Sequence, residues 1–180
     1  MTTIARRDVF CVPGRNETCS EAFGMVRWPT PEARVAGLDW ARDLAPLDMA
    51  GQVELVARNV MAHWHPRAIL AGRSFGAWLL LNALLEADQV FPGTVVCIAS
   101  VLGYGQSGGL GMIAPRARKF WEAANRRTAS PASDLVLIHA EDDQHCPIER
   151  ARMLSTLWGA RLVSHSAGGH GLGKSAPVEC

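Results

Sequence analysis

The stretch from Ala68 to Leu85, AILAGRSFGAWLLLNALL, constrains the fold of this chain more than any other. It opens as a short apolar run and passes through Gly72-Arg73-Ser74-Phe75-Gly76. It then continues into a segment whose apolar residues, Trp78, Leu79, Leu80, Leu81 and Leu84 among them, fall on every side of a helix. A helix without a polar face must be sandwiched between other elements. The run before it is short and ends on glycine, as a buried strand does. Strand, tight turn and helix are therefore expected inside a layered fold.

Five further apolar runs repeat the strand pattern: residues 8–12 (DVFCV), 34–38 (RVAGL), 94–100 (TVVCIAS), 135–139 (LVLIH) and 161–165 (RLVSH). With residues 67–71 they make six strands. Their near-continuous hydrophobicity suits a sheet covered on both faces. Helical patterns lie between them. Val53, Val56, Val60 and Trp64 share one face after the candidate N-cap Asp48; Ala117, Phe120, Trp121 and Ala124 share another; Pro147 opens and Gly159 closes a third helix, with Ile148, Ala151, Leu154 and Leu157 inward. Thr18 and Glu21 have the spacing of a capping box. Strands alternating with helices predict an α/β fold, a doubly wound, mainly parallel sheet of about six strands in a three-layer α/β/α sandwich. At 180 residues, 1–180 reads as a single domain, with no repeat or linker and with a long glycine-rich loop from Leu102 to Gly111.

Composition narrows the function classes. A formal net charge of +1 offers no basic footprint for nucleic acid or an anionic membrane. No apolar run reaches the ~20 residues of a membrane span, and Pro13 and Gly14 interrupt any signal-peptide core, so a cytoplasmic location is expected. The five cysteines, Cys11, Cys19, Cys97, Cys146 and Cys180, form no C-x-x-C pair and read as free thiols.

Gly-x-Ser-x-Gly occurs twice, at Ser74 and at Ser107 (Gly105-Gln106-Ser107-Gly108-Gly109). With ten serines and 17 glycines, chance alone produces the pattern in roughly one such chain in ten, so context decides. A nucleophile elbow needs a strand ending at the first glycine and a helix starting at the serine, because a side chain at either glycine would collide. Ser74 has both. Around Ser107, LGYG interrupts the strand and GLGMIAP delays any helix, which reads as a flexible loop.

A serine hydroxyl needs an imidazole to take its proton, and the imidazole needs a carboxylate to orient it. Among the six histidines, His63 and His65 end a helix, and His139 and His165 belong to strands. His170 lies in the glycine-flanked loop SAGGHGLG after the last strand, where an imidazole can swing toward the carboxyl edge of the sheet, and it is the expected base. The carboxylate is expected after the strand LVLIH, where Glu141, Asp142 and Asp143 stand together, and residue physics does not choose among them.

Strand, Gly-x-Ser-x-Gly, helix, then an acid and a histidine after the last two strands, in the order Ser, Asp, His, resembles the α/β-hydrolase superfamily over essentially the whole chain. In that family the acid turn reads small-x-x-Asp-x-x-apolar-Pro. Ala140, Asp143, Cys146 and Pro147 match it, which favours Asp143 and leaves Asp142 as the alternative. The family's His-Gly-x element matches Pro13-Gly14-Arg15, with proline for histidine, and implies that the backbone N–H groups of Arg15 and Phe75 form the oxyanion hole, with Asn16 as the alternative to Arg15. The chain begins at the strand before that element and ends soon after His170, a compactness similar to capless serine hydrolases of the retinoblastoma-binding-protein type.

The resemblance implies a serine hydrolase acting on small carboxylic esters or thioesters through an acyl-enzyme, with no metal or organic cofactor. Only a glycine loop and one helix occupy the segment between Ser100 and Leu135, where a cap would sit, so an open, shallow site is expected. Arg116, Arg118, Lys119, Arg126 and Arg127 on that helix read as a solvated face; the alternative is a seat for the phosphates of an acyl carrier. Arg73 reads as a packing or ion-pair residue. The rival functions are a non-catalytic binding module on the same scaffold and an acyltransferase or lyase using the same three residues.

Overall fold

The computed structural model describes residues 8–29, 33–107 and 110–180. Its strands are β1 (Asp8–Val12), β2 (Val26–Arg27), β3 (Arg34–Gly37), β4 (Ile69–Arg73), β5 (Phe91–Ile98), β6 (Tyr104–Ser107), β7 (Leu110–Ile113), β8 (Ala132–Ala140), β9 (Arg161–His165) and β10 (Val178–Glu179). Its α-helices are α1 (Cys19–Phe23), α2 (Met49–Ala62), α3 (Phe75–Glu86), α4 (Ala117–Arg126) and α5 (Glu149–Trp158). The six expected strands form one parallel sheet in the order β3-β1-β4-β5-β8-β9. The chain winds outward from β1 to β3, returns, and then winds from β4 to β9. It reverses direction between β1 and β4, where the loops beyond the strand ends diverge and leave a crevice. Val12, Gly72 and Cys97 lie side by side in register at that edge.

The pleat divides the core into two. Phe10, Leu70, Val95 and Leu137 point to one face and pack with Val53, Trp78, Phe120 and Leu154 from the four longer helices. Val9, Ile69, Val96 and Ile138 point to the other, which is covered by Ala22 and Phe23 of α1, by Val26 and Val178 of the small parallel pair β2 and β10, and by Leu172. Every residue of α3 from Phe75 to Leu84 is buried. Its one buried amide side chain, Asn82, donates to the Trp78 carbonyl at 2.8 Å. Residues 34–38 depart from the expectation of a doubly covered strand: β3 is an edge strand with Val35 44% exposed.

Helix ends follow the local chemistry. Thr18 and Glu21 close a reciprocal capping box, each backbone N–H donating to the other's side chain. Asp48 accepts from the Gly51 amide at 2.8 Å, and Gly159 takes φ 64° at the end of α5. Trp64 lies beyond the end of α2 and meets Phe91 edge-on instead of extending the helix. No helix among the described residues is long and apolar enough to cross a membrane.

The segment expected as a flexible glycine loop is an antiparallel hairpin, with Tyr104 opposite Ile113 and Ser107 opposite Leu110. Four-residue strands that each carry a glycine, Gly105 and Gly111, offer no clear alternation, so the pairing is written in tertiary context. Gly108 and Gly109 of the second Gly-x-Ser-x-Gly, and Met1 to Arg7 at the N-terminus, lie outside the described residues.

Candidate active site

Ser74 stands between β4 and α3 with φ 52° and ψ −119°. Such a backbone costs of order 1–3 kcal/mol in a non-glycine residue and persists only where its surroundings impose it. Both flanking glycines are part of that imposition. A Cβ on Gly72 would lie 2.5 Å from the Ala77 Cα, and one on Gly76 would lie 2.2 Å and 2.3 Å from the carbonyl oxygens of Val12 and Pro13. Helix α3 thus starts in direct contact with the end of β1. The Ser74 amide donates to the Ile98 carbonyl at 2.8 Å and fastens the turn to β5.

The expected partners converge on this turn. Ser74 Oγ lies 2.8 Å from His170 Nε2, and His170 Nδ1 lies 3.0 Å from Asp143 Oδ2. Asp143 Oδ1 accepts from the amides of His145 and Cys146, each at 2.9 Å. Burial by itself pushes the Asp143 carboxyl upward; hydrogen bonds from His139, His170 and the Cys146 amide outweigh it and hold the group well below the usual carboxylate range. An ionised carboxylate only accepts, so Nδ1 of His170 carries the proton and Nε2 is left to accept from the serine hydroxyl. That is the tautomer a general base requires.

The three adjacent acids separate cleanly. Asp142 Oδ1 accepts from the Gly169 amide at 2.8 Å, tethering the histidine loop, and Glu141 pairs with Arg152 at the surface. Sequence reasoning missed His139: its ring, 1% exposed, donates from Nε2 to the Cys146 carbonyl and sits 3.5 Å from Asp143 Oδ2. A strand histidine carries no local signal of such a role. His63 bonds the Asn59 carbonyl, and His65 faces Asp8 at 3.9 Å at the opposite end of the sheet.

Arg15 and Phe75 line a cavity of about 380 Å³ together with Ser74 and His170. The Phe75 amide is the first of α3 and has no intrahelical acceptor. The Arg15 guanidinium lies over the Phe75 ring, 4.1 Å from its centroid. The hairpin adds Gly105 and Ile113 to the wall, and Ile113 stays 80% exposed at its rim. Arg116, which precedes α4, and Lys119 within it both reach Glu86, and Arg118 sits 3.9 Å from Glu122. That matches a solvated face.

Among the described residues, one group of donors is close enough to share an ion: Asp143, Cys146 and His170, with ligand atoms within 4.8 Å of one another. Two of them already bond each other. Burial pushes the Cys146 thiol up to about 12, which disfavours the thiolate a metal would need.

The family model described as Serine hydrolase matches residues 29–176. No curated protein matches the chain. Similar solved structures include the ydeN gene product from B. subtilis, with TM-score 0.61 and 14% identity, over 95% of this chain and 91% of that one. Alpha/beta hydrolase domain-containing protein 10 from mouse gives 0.62 and 13%, over 91% and 81%. The thioesterase domain from the curacin biosynthetic pathway gives 0.64 and 11%, over 94% and 87%. At such identities these likenesses concern the fold. With the family match spanning the elbow, the acid turn and the histidine loop, the chain belongs to the serine hydrolase family, on a reduced α/β-hydrolase fold.

Proposed function

We propose that the protein hydrolyses small carboxylic esters or thioesters by acyl transfer, with Ser74 as nucleophile, His170 as general base and acid, and Asp143 orienting His170. The observation that carries this reading is the continuous chain from Ser74 Oγ to His170 Nε2, at 2.8 Å, and from His170 Nδ1 to Asp143 Oδ2, at 3.0 Å. Ser74 Oγ bonds to the carbonyl carbon while its proton passes to Nε2. The carbonyl oxygen takes up negative charge facing the amides of Arg15 and Phe75, where one such donor is typically worth ~10²–10³ in rate. His170 then returns the proton to the leaving alcohol or thiol. Water, deprotonated by the same imidazole, releases the acid from the acyl-enzyme. The small cavity with Val101, Ile113 and Ala114 in its wall favours short acyl groups.

Intact mass after exposure to a fluorophosphonate tests the reading. One phosphonyl adduct is expected on the wild type and on Ser107→Ala, and none on Ser74→Ala. An unmodified folded wild type would shift the reading to a binding module on the same scaffold. An adduct lost only with Ser107→Ala would overturn the assignment of the nucleophile. Product analysis on an ester that gives free acid in water separates hydrolysis from acyl transfer to another acceptor.

A further inference from the structure

Directly before the nucleophile lies a residue that the proposed mechanism does not use. The side chain of Arg73 is 3% exposed and that of Glu17 is 8% exposed, and they form an ion pair at 2.6 Å. The remaining donors of Arg73 go to main-chain oxygens of the histidine loop: Nε to the Leu172 carbonyl at 3.0 Å and Nη2 to the carbonyl of His170 itself. Glu17 in turn accepts from the Gly14 amide at 3.1 Å through Oε2 and from Lys174 Nζ at 3.1 Å through Oε1. Gly14 is the residue whose Cβ would come within 2.7 Å of that carboxylate and 3.3 Å of the Ser74 Cβ. Loop 13–17 and loop 168–174 are thus both fastened to the side chain adjoining Ser74.

We propose that Arg73 and Glu17 are positioning residues, a buried ion pair that sets the His170 backbone and the Gly14-Arg15 amides relative to Ser74. The inference rests on the assignment of Ser74 and His170 given above. Its physical basis is the shape of the guanidinium, a rigid planar fork that satisfies three acceptors at fixed angles, which a lysine ammonium on a flexible stem does not reproduce. A stabilising role is the weaker account. Desolvating two charges offsets much of their attraction, and replacing a whole buried pair by apolar residues of similar volume is often neutral or better for stability. Geometry is what such a replacement would lose here, because the guanidinium contacts backbone atoms of the base loop instead of a second side chain.

The test compares wild type with Arg73→Met/Glu17→Leu, which removes both charges together, and with Arg73→Lys and Glu17→Gln. Readouts are the rate of phosphonylation by a fluorophosphonate, kcat and KM for p-nitrophenyl acetate, thermal midpoint, and amide hydrogen exchange. We expect the double variant to melt near the wild type, to phosphonylate and turn over about 10²-fold more slowly, as a misplacement of about 1 Å at a reacting centre does, and to keep KM within about twofold. Exchange should quicken in residues 168–174 and stay unchanged in β4 and β5. Arg73→Lys should fail to restore the rate. If the double variant does not fold, Glu17→Gln, which keeps the shape and loses the charge, should show the same slowing and the same local exchange. Either variant reacting within twofold of wild type, with unchanged exchange in 168–174, overturns the proposal. A wild type inert to the fluorophosphonate and the ester would overturn the underlying reading, and the catalytic role of the pair with it, whatever the exchange pattern.

Discussion

Gly76→Ala tests how tightly the elbow is packed. The substitution is conformationally easy, since Gly76 lies in α3, and alanine gains roughly 1 kcal/mol of helix propensity over glycine. Against this, the new Cβ would meet the Val12 carbonyl oxygen at 2.2 Å and that of Pro13 at 2.3 Å. Carbon and carbonyl oxygen normally meet at roughly 3.3 Å or more, so the start of α3 must retreat from the end of β1 by about 1 Å. The obstructing atoms are backbone and cannot rotate away. Overpacking of this kind costs about 1–3 kcal/mol, which the propensity gain offsets only in part. Its effect on rate should be larger, because the displacement falls between the Phe75 amide and loop 13–17, and about 1 Å at a reacting centre costs on the order of 10²-fold. Gly159→Ala is the control. Its φ is +64° and nothing lies within 4 Å of its Cβ position, so it should lose about 1 kcal/mol from the strained backbone and no activity. Urea denaturation measures the first quantity and phosphonylation rate the second. If Gly76→Ala reacts within threefold of wild type while its urea midpoint is unchanged, the close approach of α3 to β1 is not what shapes the site.

The depressed pKa of Asp143 fixes a pH dependence of stability. Its contribution is fully present above the unfolded carboxylate value of about 3.9 and is lost as pH falls below that toward the folded value. The Tm gap between wild type and Asp143→Asn should therefore narrow below about pH 4, and a gap constant from pH 6 to pH 3 would contradict the hydrogen-bond account. Thiol alkylation should also be ordered. A hydrogen bond from Cys11 lowers the half-buried Cys19 thiol, while burial holds Cys97 and Cys146 up at about 12. Iodoacetamide at pH 8 should label Cys19 first by peptide mass, and earlier labelling of Cys97 would show that the sheet opens locally.

Much of the fold was legible locally. β1 and β9 coincide with the apolar runs at 8–12 and 161–165, and α2 begins after the aspartate that caps it. Ser74 was legible because an elbow writes both its halves, strand and apolar helix, into adjacent residues. The hairpin at Tyr104 to Ile113 was not, since its short glycine-bearing strands gain their register from each other. His139 gave no sign of its contact with Asp143, because a strand histidine four residues from an acid is ordinary in sequence and meaningful only once the acid turn folds back.

Sequence by itself determined which residue types arrive at the carboxyl edge of the sheet: a serine after β4, acids after β8 and a histidine after β9, because periodicity and glycine placement are local properties. Residue periodicity left the neighbouring aspartates equivalent and the acid-turn resemblance favoured Asp143; the tertiary structure gives the physical difference, with Asp143 facing the imidazole and Asp142 the Gly169 amide. It also decided that Arg73 meets Glu17, 56 residues earlier, and the carbonyl of His170, 97 residues later. Contacts at that separation depend on how the strands order in space, and no pattern along the chain encodes a partner that only the folded sheet brings within reach.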